Sequence, residues 1–483
     1  MISTRAAAPL VLLLLSSCTL GPNHTAPQVS LPAKFGEGST ASNGDVSKNA
    51  WWTAFSDKRL NGYVADGLAQ NLDVLQALER INQAQASVIT AGAGGLPSLD
   101  VSADAGRSGA RDIGGNAGAL SSTSARTSVS GGATASWFLD LFGLYRRSKE
   151  AALDNLDAAY ASVDVARLSL LSSVADAYID ARYYQELLKI SNDNLKSRRE
   201  TLNLTKLQLD AGAASRLDVV QAEGLVNSTL AGVPGIETSF RTSAHSLATL
   251  LAQPAGSLVS ELQKGGHQPV ARFSTKAGIP ADLIRNRPDI RAAERTLAAA
   301  VANIGVAEAQ LYPAITLGGS ITPSYTKAGK SEAGLLSWSF GPSLSLPIFD
   351  GGALRANVSS AKSSARESYL AWKQTVLTAV QDVENALSAY SRDGRTVAAY
   401  RQTVKSYQEA LELATASYRD GASSLLDVLD AQRQVSDAQQ SLAAAVQTMA
   451  KDYVALNIAV GGGYAVGTPA AKTEVASAKV IKD

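Results

Sequence analysis

The chain has 483 residues, with 44 lysines and arginines against 43 aspartates and glutamates, and this near-neutral balance excludes an electrostatic nucleic-acid binder. One cysteine excludes an internal disulfide framework, and three histidines far apart in sequence, His24, His245 and His267, form no ligand-spaced metal cluster. No metal and no cofactor is expected.

In chain order, the first element is a secretory signal. Arg5 supplies a positive region, Ala6 to Leu15 an apolar stretch, and Ser16 and Ser17 the small residues of a cleavage site. The stretch is too short to span a bilayer. Leu15-Ser16-Ser17-Cys18 resembles the bacterial lipobox, which implies that residues 1–17 are removed and Cys18 is acylated as the new first residue. Thr19 follows it in place of the aspartate typical of inner-membrane retention, and by that resemblance the outer membrane is favoured. No later apolar run is long enough for a transmembrane helix, so a mature chain that crosses a membrane does so as a β-barrel.

Two strand pairs are expected. In Ser98 to Gly106, Leu99, Val101, Ala103 and Ala105 alternate with Ser98, Asp100, Ser102 and Asp104. In Val129 to Leu139, Val129, Ala133, Ala135, Trp137 and Leu139 share one parity and serines and threonines the other. Ile315, Leu317 and Ile321, then Leu336, Trp338, Phe340, Leu344 and Leu346, repeat the pattern later. Such strands suit a barrel with lipid outside and water inside, with Trp137 and Trp338 at the lipid boundary; a soluble sandwich is the alternative for the pattern taken alone. Four strands cannot close a barrel around water, so several chains must contribute.

A long proline-free tract follows each pair. Apolar positions recur every seven residues at Val174, Ala181, Leu188, Leu195, Leu202 and Leu209, and again at Val383, Tyr390, Val397, Val404, Leu411, Tyr418 and Leu425. A seven-residue period marks helices that coil around one another. A helix from about residue 143 to 210 reaches roughly 100 Å, longer than any compact core requires. Asp210-Ala211-Gly212-Ala213-Ala214-Ser215 and Arg419-Asp420-Gly421-Ala422-Ser423-Ser424 are the expected helix–helix turns, with a glycine stop and a serine start.

The chain is a duplication. A shift of 209 carries Gly212, Ser215, Leu217, Asp218 and Val219 onto Gly421, Ser424, Leu426, Asp427 and Val428, and a shift of 216 carries Asp73 and Pro97 onto Asp289 and Pro313.

The segment Leu283 to Glu294, with Arg287-Pro288-Asp289-Ile290 at its centre, continues through Ile304-Gly305 to Pro313. Together with Leu346-Pro347-Ile348-Phe349-Asp350-Gly351-Gly352, it resembles the TolC-like outer-membrane factors. The likeness is to the NodT/OprM-like lipoprotein branch of RND efflux systems and spans roughly residues 50–464. It implies a mainly α fold with a membrane β-barrel: a homotrimer with a twelve-stranded outer-membrane barrel on a periplasmic α-helical tunnel. It also implies a lipid-anchored outer-membrane location, a periplasmic adaptor (membrane fusion) protein and an inner-membrane RND pump as partners, and no nucleic acid. The expected boundaries are a signal peptide at 1–17, a lipid-anchored linker at 18–57, repeats at 58–265 and 266–464, and a tail at 465–483.

By the same resemblance, Asp427 and Asp430 form carboxylate rings at the periplasmic gate, and Tyr418 and Asp218 form a closed-state clasp. Ser423 stands where the family often has an arginine in that clasp. Ser215 with Asp218 and Ser424 with Asp427 also fit a simple N-terminal cap, which leaves both readings open for those aspartates but does not account for Asp430. Arg287-Pro288-Asp289 reads as a helix start. A passive exit duct for small molecules is the leading function and the duct of a type I protein-secretion system the alternative. A coiled-coil lipoprotein would not need amphipathic strands. An enzyme is not expected: Ser359-Ser360-Ala361-Lys362 has the spacing of some acyl-transfer motifs but no partner motifs.

Overall fold

The computed structural model describes residues 19–37, 44–110, 124–271, 278 and 280–466. Cys18 and the signal ahead of it lie outside the described residues. The elements, after a short 3-10 turn at Trp51–Phe55, are α1 (Lys58–Gln70), α2 (Leu72–Ala93), β1 (Ser98–Ala110), β2 (Ser124–Leu139), α3 (Leu144–Asp210) and α4 (Arg216–Leu250). A short α5 (Val259–Leu262) follows, and then come α6 (Pro280–Asn286), α7 (Pro288–Ala309), β3 (Ala314–Ala328), β4 (Ser331–Ser345), α8 (Ala353–Arg419) and α9 (Leu425–Ala459). The duplication is literal in the helices: α3 and α8 have 67 residues each, and α4 and α9 have 35 each. β1 and β3 run on past the expected Gly106 and Thr322, β2 and β4 begin ahead of the expected Val129 and Leu336, and β4 stops at Ser345, so Leu346 falls outside it; β3 and β4 meet in a turn at Gly329, whose φ is +59°. The chain divides into two compact units, and each draws on both repeats.

The first unit (residues 1–27, 82–158 and 293–371) holds the sheet. Its order is β1-β2-β3-β4, antiparallel throughout, so β1 and β4 are edges of the sheet within one chain. The register sorts the faces. Val101, Ala133, Ile321 and Trp338 form one row across all four strands, while the adjacent row is Asp100, Thr134, Ser320 and Ser339. Neighbouring positions on a strand point to opposite faces, so one face is apolar and the other hydroxyl-rich. Ser320 and Ser339 share a hydrogen bond of 2.9 Å on the polar face. On the apolar face Val101, Ile321, Trp338 and Phe340 are exposed, as residues facing lipid would be. Ala151 of α3 packs on Ala299 and Ala302 of α7, where small side chains let the helix backbones come close.

The second unit (residues 28–81, 159–292 and 372–483) is helical. Among the described residues, no helix is long and apolar enough to cross a membrane. Part of the heptad set lies in its core, while Leu188, Leu209, Val404 and Leu411 are half-buried. Val174 and Ala181 of α3 are buried with Trp51, Leu60, Leu247, Leu251 and Tyr453, and Tyr390 packs on the same cluster. Val383 is fully buried and Val397 nearly so. Asp57 caps α1, accepting from the Arg59 and Leu60 amides at 2.9 and 3.4 Å, and it also accepts from the Tyr178 hydroxyl. Arg182, only 1% exposed, donates to that same hydroxyl at 2.9 Å and to the Leu262 carbonyl at 3.3 Å.

The Arg287-Pro288-Asp289 segment starts α7, as its sequence implies. The Arg287 guanidinium donates to both oxygens of Asp289 at 3.0 and 2.7 Å, to Asp382 of α8 at 3.0 Å and to the Ala459 carbonyl closing α9 at 3.1 Å. The signature is thus a structural staple of three helices. Arg291, one turn on, donates to Asp164 of α3 at 3.0 Å and to the Tyr464 hydroxyl at 3.1 Å.

Candidate functional site

The candidate site is the pair of helical tips. At the first, α3 ends on Asp210 and the chain reverses through Gly212, whose φ of +78° only glycine adopts without strain. The Gly212 amide donates to the Leu209 carbonyl at 2.9 Å and the Ala213 amide to the Gln208 carbonyl at 2.7 Å, so the exposed end carbonyls of α3 are satisfied. At the second tip Gly421 has φ +74°, its amide donates to the Tyr418 carbonyl at 3.1 Å, and the Ala422 amide donates to the Ser417 carbonyl at 2.9 Å. The glycine reading of both turns holds in detail.

Each serine then opens a new helix. The Asp218 carboxylate accepts from the Ser215 amide at 2.8 Å and from its hydroxyl at 2.7 Å, and the Asp218 amide donates back to that hydroxyl at 3.2 Å. Asp427 accepts from the Ser424 amide at 3.1 Å and its hydroxyl at 2.9 Å. Both aspartates therefore cap α4 and α9, where a negative charge also meets the positive end of the helix dipole.

Asp430 takes no part in the cap. Its carboxylate lies exposed one turn further along α9, with Arg433 at 3.3 Å and the Gln434 amide at 2.6 Å. Asp427 and Asp430 are both exposed and sit three residues apart, hence on one side of the helix.

Tyr418 lies elsewhere. It is 7% exposed, inside a cluster of Leu195, Leu202, Val219, Ala222, Val226, Leu425, Val428 and Leu429 that ties the two hairpins together. Its hydroxyl donates to Thr205 Oγ1 at 3.4 Å, and Thr205, fully buried, donates to the Thr201 carbonyl at 2.9 Å. Among the described residues of one chain, no hydrogen bond joins Tyr418 to Asp218.

Sequence reasoning missed the polar ladder on this seam. Gln432, 3% exposed, donates to Thr201 Oγ1 at 2.8 Å and to Ser197 Oγ at 3.3 Å, binding α9 to α3 beside the tip. The available signal was Thr201 and Thr205, two hydroxyls four residues apart on the flank of the Leu202–Leu209 seam.

Two stretches of the chain, residues 64–253 and 279–462, each match the family model described as outer membrane efflux protein, one match per repeat. The chain is 58% identical over 479 residues to Nodulation protein T of Rhizobium leguminosarum bv. viciae, covering 99% of this chain and 98% of that one. It is 30% identical over 470 residues to the antibiotic efflux pump outer membrane protein ArpC of Pseudomonas putida, covering 93% and 94%. The open-state outer membrane channel MtrE of Neisseria gonorrhoeae superposes with a TM-score of 0.79 at 32% identity, over 92% of this chain and 99% of that one. With the strand register and the paired helical tips, these likenesses establish that the chain belongs to the outer membrane efflux protein family, a family of TolC-like channels.

Proposed function

We propose that the chain is the outer-membrane channel of a tripartite RND-type efflux system, a passive exit duct carrying small molecules from the periplasm to the outside. The observation that carries this reading is the sheet register, with its apolar row Val101–Ala133–Ile321–Trp338 backed by the polar row Asp100–Thr134–Ser320–Ser339. An unpaired strand edge is untenable in hydrocarbon, and β1 and β4 are both edges. Three copies, each giving four strands, close a twelve-stranded barrel with a wet lumen, and the same three copies bring six helical tips around one axis. The duct catalyses no reaction. An inner-membrane pump supplies the energy and a periplasmic adaptor joins pump to duct, in keeping with the efflux names of the relatives.

The gate belongs to the same reading. Three copies of Asp427 and Asp430 form two stacked carboxylate rings, and Tyr418 and Asp218 hold the hairpins closed from either side of the tip. Removal of residues 1–17 and acylation of Cys18 anchor the chain to the outer membrane, ahead of a linker at 18–57, repeats at 58–265 and 266–464 and a tail at 465–483. The test is twofold. Purified protein should form cation-selective pores in planar bilayers, and a deletion strain should lose resistance to small-molecule drugs until the gene is restored. Resistance unchanged by deletion, together with a block in export of a polypeptide, would instead identify a protein-secretion duct.

A further inference from the structure

The chain that follows Cys18 runs into a prepared seat in the first unit. Thr19 lies against Gly143, just after the end of β2, where an added Cβ would meet the Thr19 Cα at 3.0 Å, and the Leu20 amide donates to the Phe142 carbonyl at 3.3 Å. Arg147, on the first turn of α3 and only 2% exposed, reaches back over this strap. Its guanidinium donates to the Leu20 carbonyl at 2.8 Å, the Gly21 carbonyl at 3.1 Å and the Asn23 side-chain oxygen at 2.8 Å, while Glu150 balances its charge at 2.8 Å. Gly21, at φ +85°, passes so close to Gly305 of α7 that a Cβ on it would sit 2.4 Å from the Gly305 Cα. A Cβ on Gly305 would in turn meet the Leu20 carbonyl oxygen at 2.6 Å. His24 Nε2 then pairs with Glu294 Oε1 at 2.7 Å.

We propose that Thr19–His24 is a peg and that Arg147, Gly143, Gly305 and Glu294 are its seat, which fixes the acylated terminus at the junction of β2 and α3. A buried guanidinium needs its donors matched by acceptors, and three of those acceptors belong to the strap. Acyl chains alone tether a terminus to the bilayer without choosing where it sits around the protein. The seat supplies that choice. It holds Thr19 just past the end of β2, the strand that carries the exposed Trp137, the expected lipid boundary.

The duplication sharpens the point. The 209 shift carries Arg147 onto Ala356, and the 216 shift carries Gly305 onto Ile89 and Glu294 onto Leu78. The arginine, the glycine and the carboxylate are all missing from the equivalent place in the other repeat. The second junction therefore has no seat, and Ile348 and Phe349 stand exposed where Phe142 stacks on Tyr312 at 4.8 Å in the first. A trimer then carries three seats for three anchors among six otherwise equivalent junctions.

This inference rests on the lipoprotein reading of Cys18 for its purpose, but its geometry is separable. Spin labels on cysteines at Pro22 and Lys149, in the full-length protein extracted from the outer membrane, measure whether the strap is seated. Wild-type background should give one short, narrow distance, and Gly21→Val and Arg147→Gln should each broaden it. If Arg147→Gln fails to assemble, Gly21→Val still decides, since residue 21 lies in no helix or strand. A broad distribution in the wild-type background, or a narrow one surviving both substitutions, overturns the seat. Mass measurement of the N-terminal peptide scores acylation on its own. Acylation with a broad distance ends the seat and leaves the anchor; a narrow distance without acylation keeps the seat and ends the anchor.

Discussion

The hydroxyl of Tyr418 meets the hydroxyl of Thr205 at 3.4 Å inside the apolar seam that joins the two helical hairpins of one chain. The tyrosine is held there by packing, while Asp218 caps α4 at the outer edge, and the proposed clasp is tested by removing both groups. Tyr418→Phe keeps the ring and loses one long hydrogen bond, so it should cost about 1 kcal/mol or less. Asp218→Ala removes a cap, typically about 1 kcal/mol. Combined in three copies, the two should shift the closed state towards open. Single-channel recording should show larger or more frequent openings in the double variant; an unchanged conductance histogram would reduce both residues to structural parts.

The proposed rings predict selectivity. Asp430 has no capping role, and Asp427 keeps an exposed carboxylate while it caps. Three copies of each at a constriction attract cations and exclude anions. Asp430→Ala alone should cut cation preference, measured as reversal potential across a salt gradient, without lowering the melting temperature. Asp427→Ala should do both, since it also removes a cap. Equal loss of stability and no change in reversal potential would leave capping as the whole story.

Much of this was legible in the chain. The seven-residue period marked Leu195, Leu202, Leu209, Leu411, Tyr418 and Leu425, and these same side chains meet in the tip cluster. Gly212 and Gly421 were readable because positive φ is a local demand that only glycine meets cheaply. Strand parity was readable because it needs no partner, whereas the rows across the sheet depend on register, which no single strand encodes. The Thr201–Thr205–Gln432 ladder and the Arg147 seat were hidden for a related reason. They join residues more than a hundred positions apart, and a buried arginine looks in sequence like any solvated one.

Acidity within the helical unit gives a separate test. Burial and the neighbouring Asp393 carboxyl push Asp452 up to about 7 from its ordinary 3.8, while the adjacent Lys451 is engaged by Asp180 at 2.7 Å. The folded state thus binds a proton more tightly than the unfolded chain. The stability from that proton is fully present below about pH 3.8 and is lost as pH rises towards 7. Asp452→Asn should therefore raise the melting temperature at pH 8 and leave it unchanged at pH 4. A gain of equal size at both pH values would mean that Asp393 and Asp452 do not share a proton.

The faces of the sheet can be told apart with one charge. Ile321 and Ser320 are neighbours on β3, Ile321 in the apolar row beside Trp338 and Ser320 in the polar row beside Ser339. On a lipid face, an arginine at mid-depth costs roughly 2–4 kcal/mol, whereas on a lumen face it stays in water. Ile321→Arg should thus sharply reduce the amount of assembled oligomer recovered from the outer membrane. Ser320→Arg should assemble normally and, with three new positive charges lining the pore, weaken its cation preference. The comparison is internal, because the two sites are one residue apart at the same depth. If Ser320→Arg proved the disruptive one, the polar row would face outward and the barrel reading would fail. If both assembled equally, the sheet would not be in lipid at all.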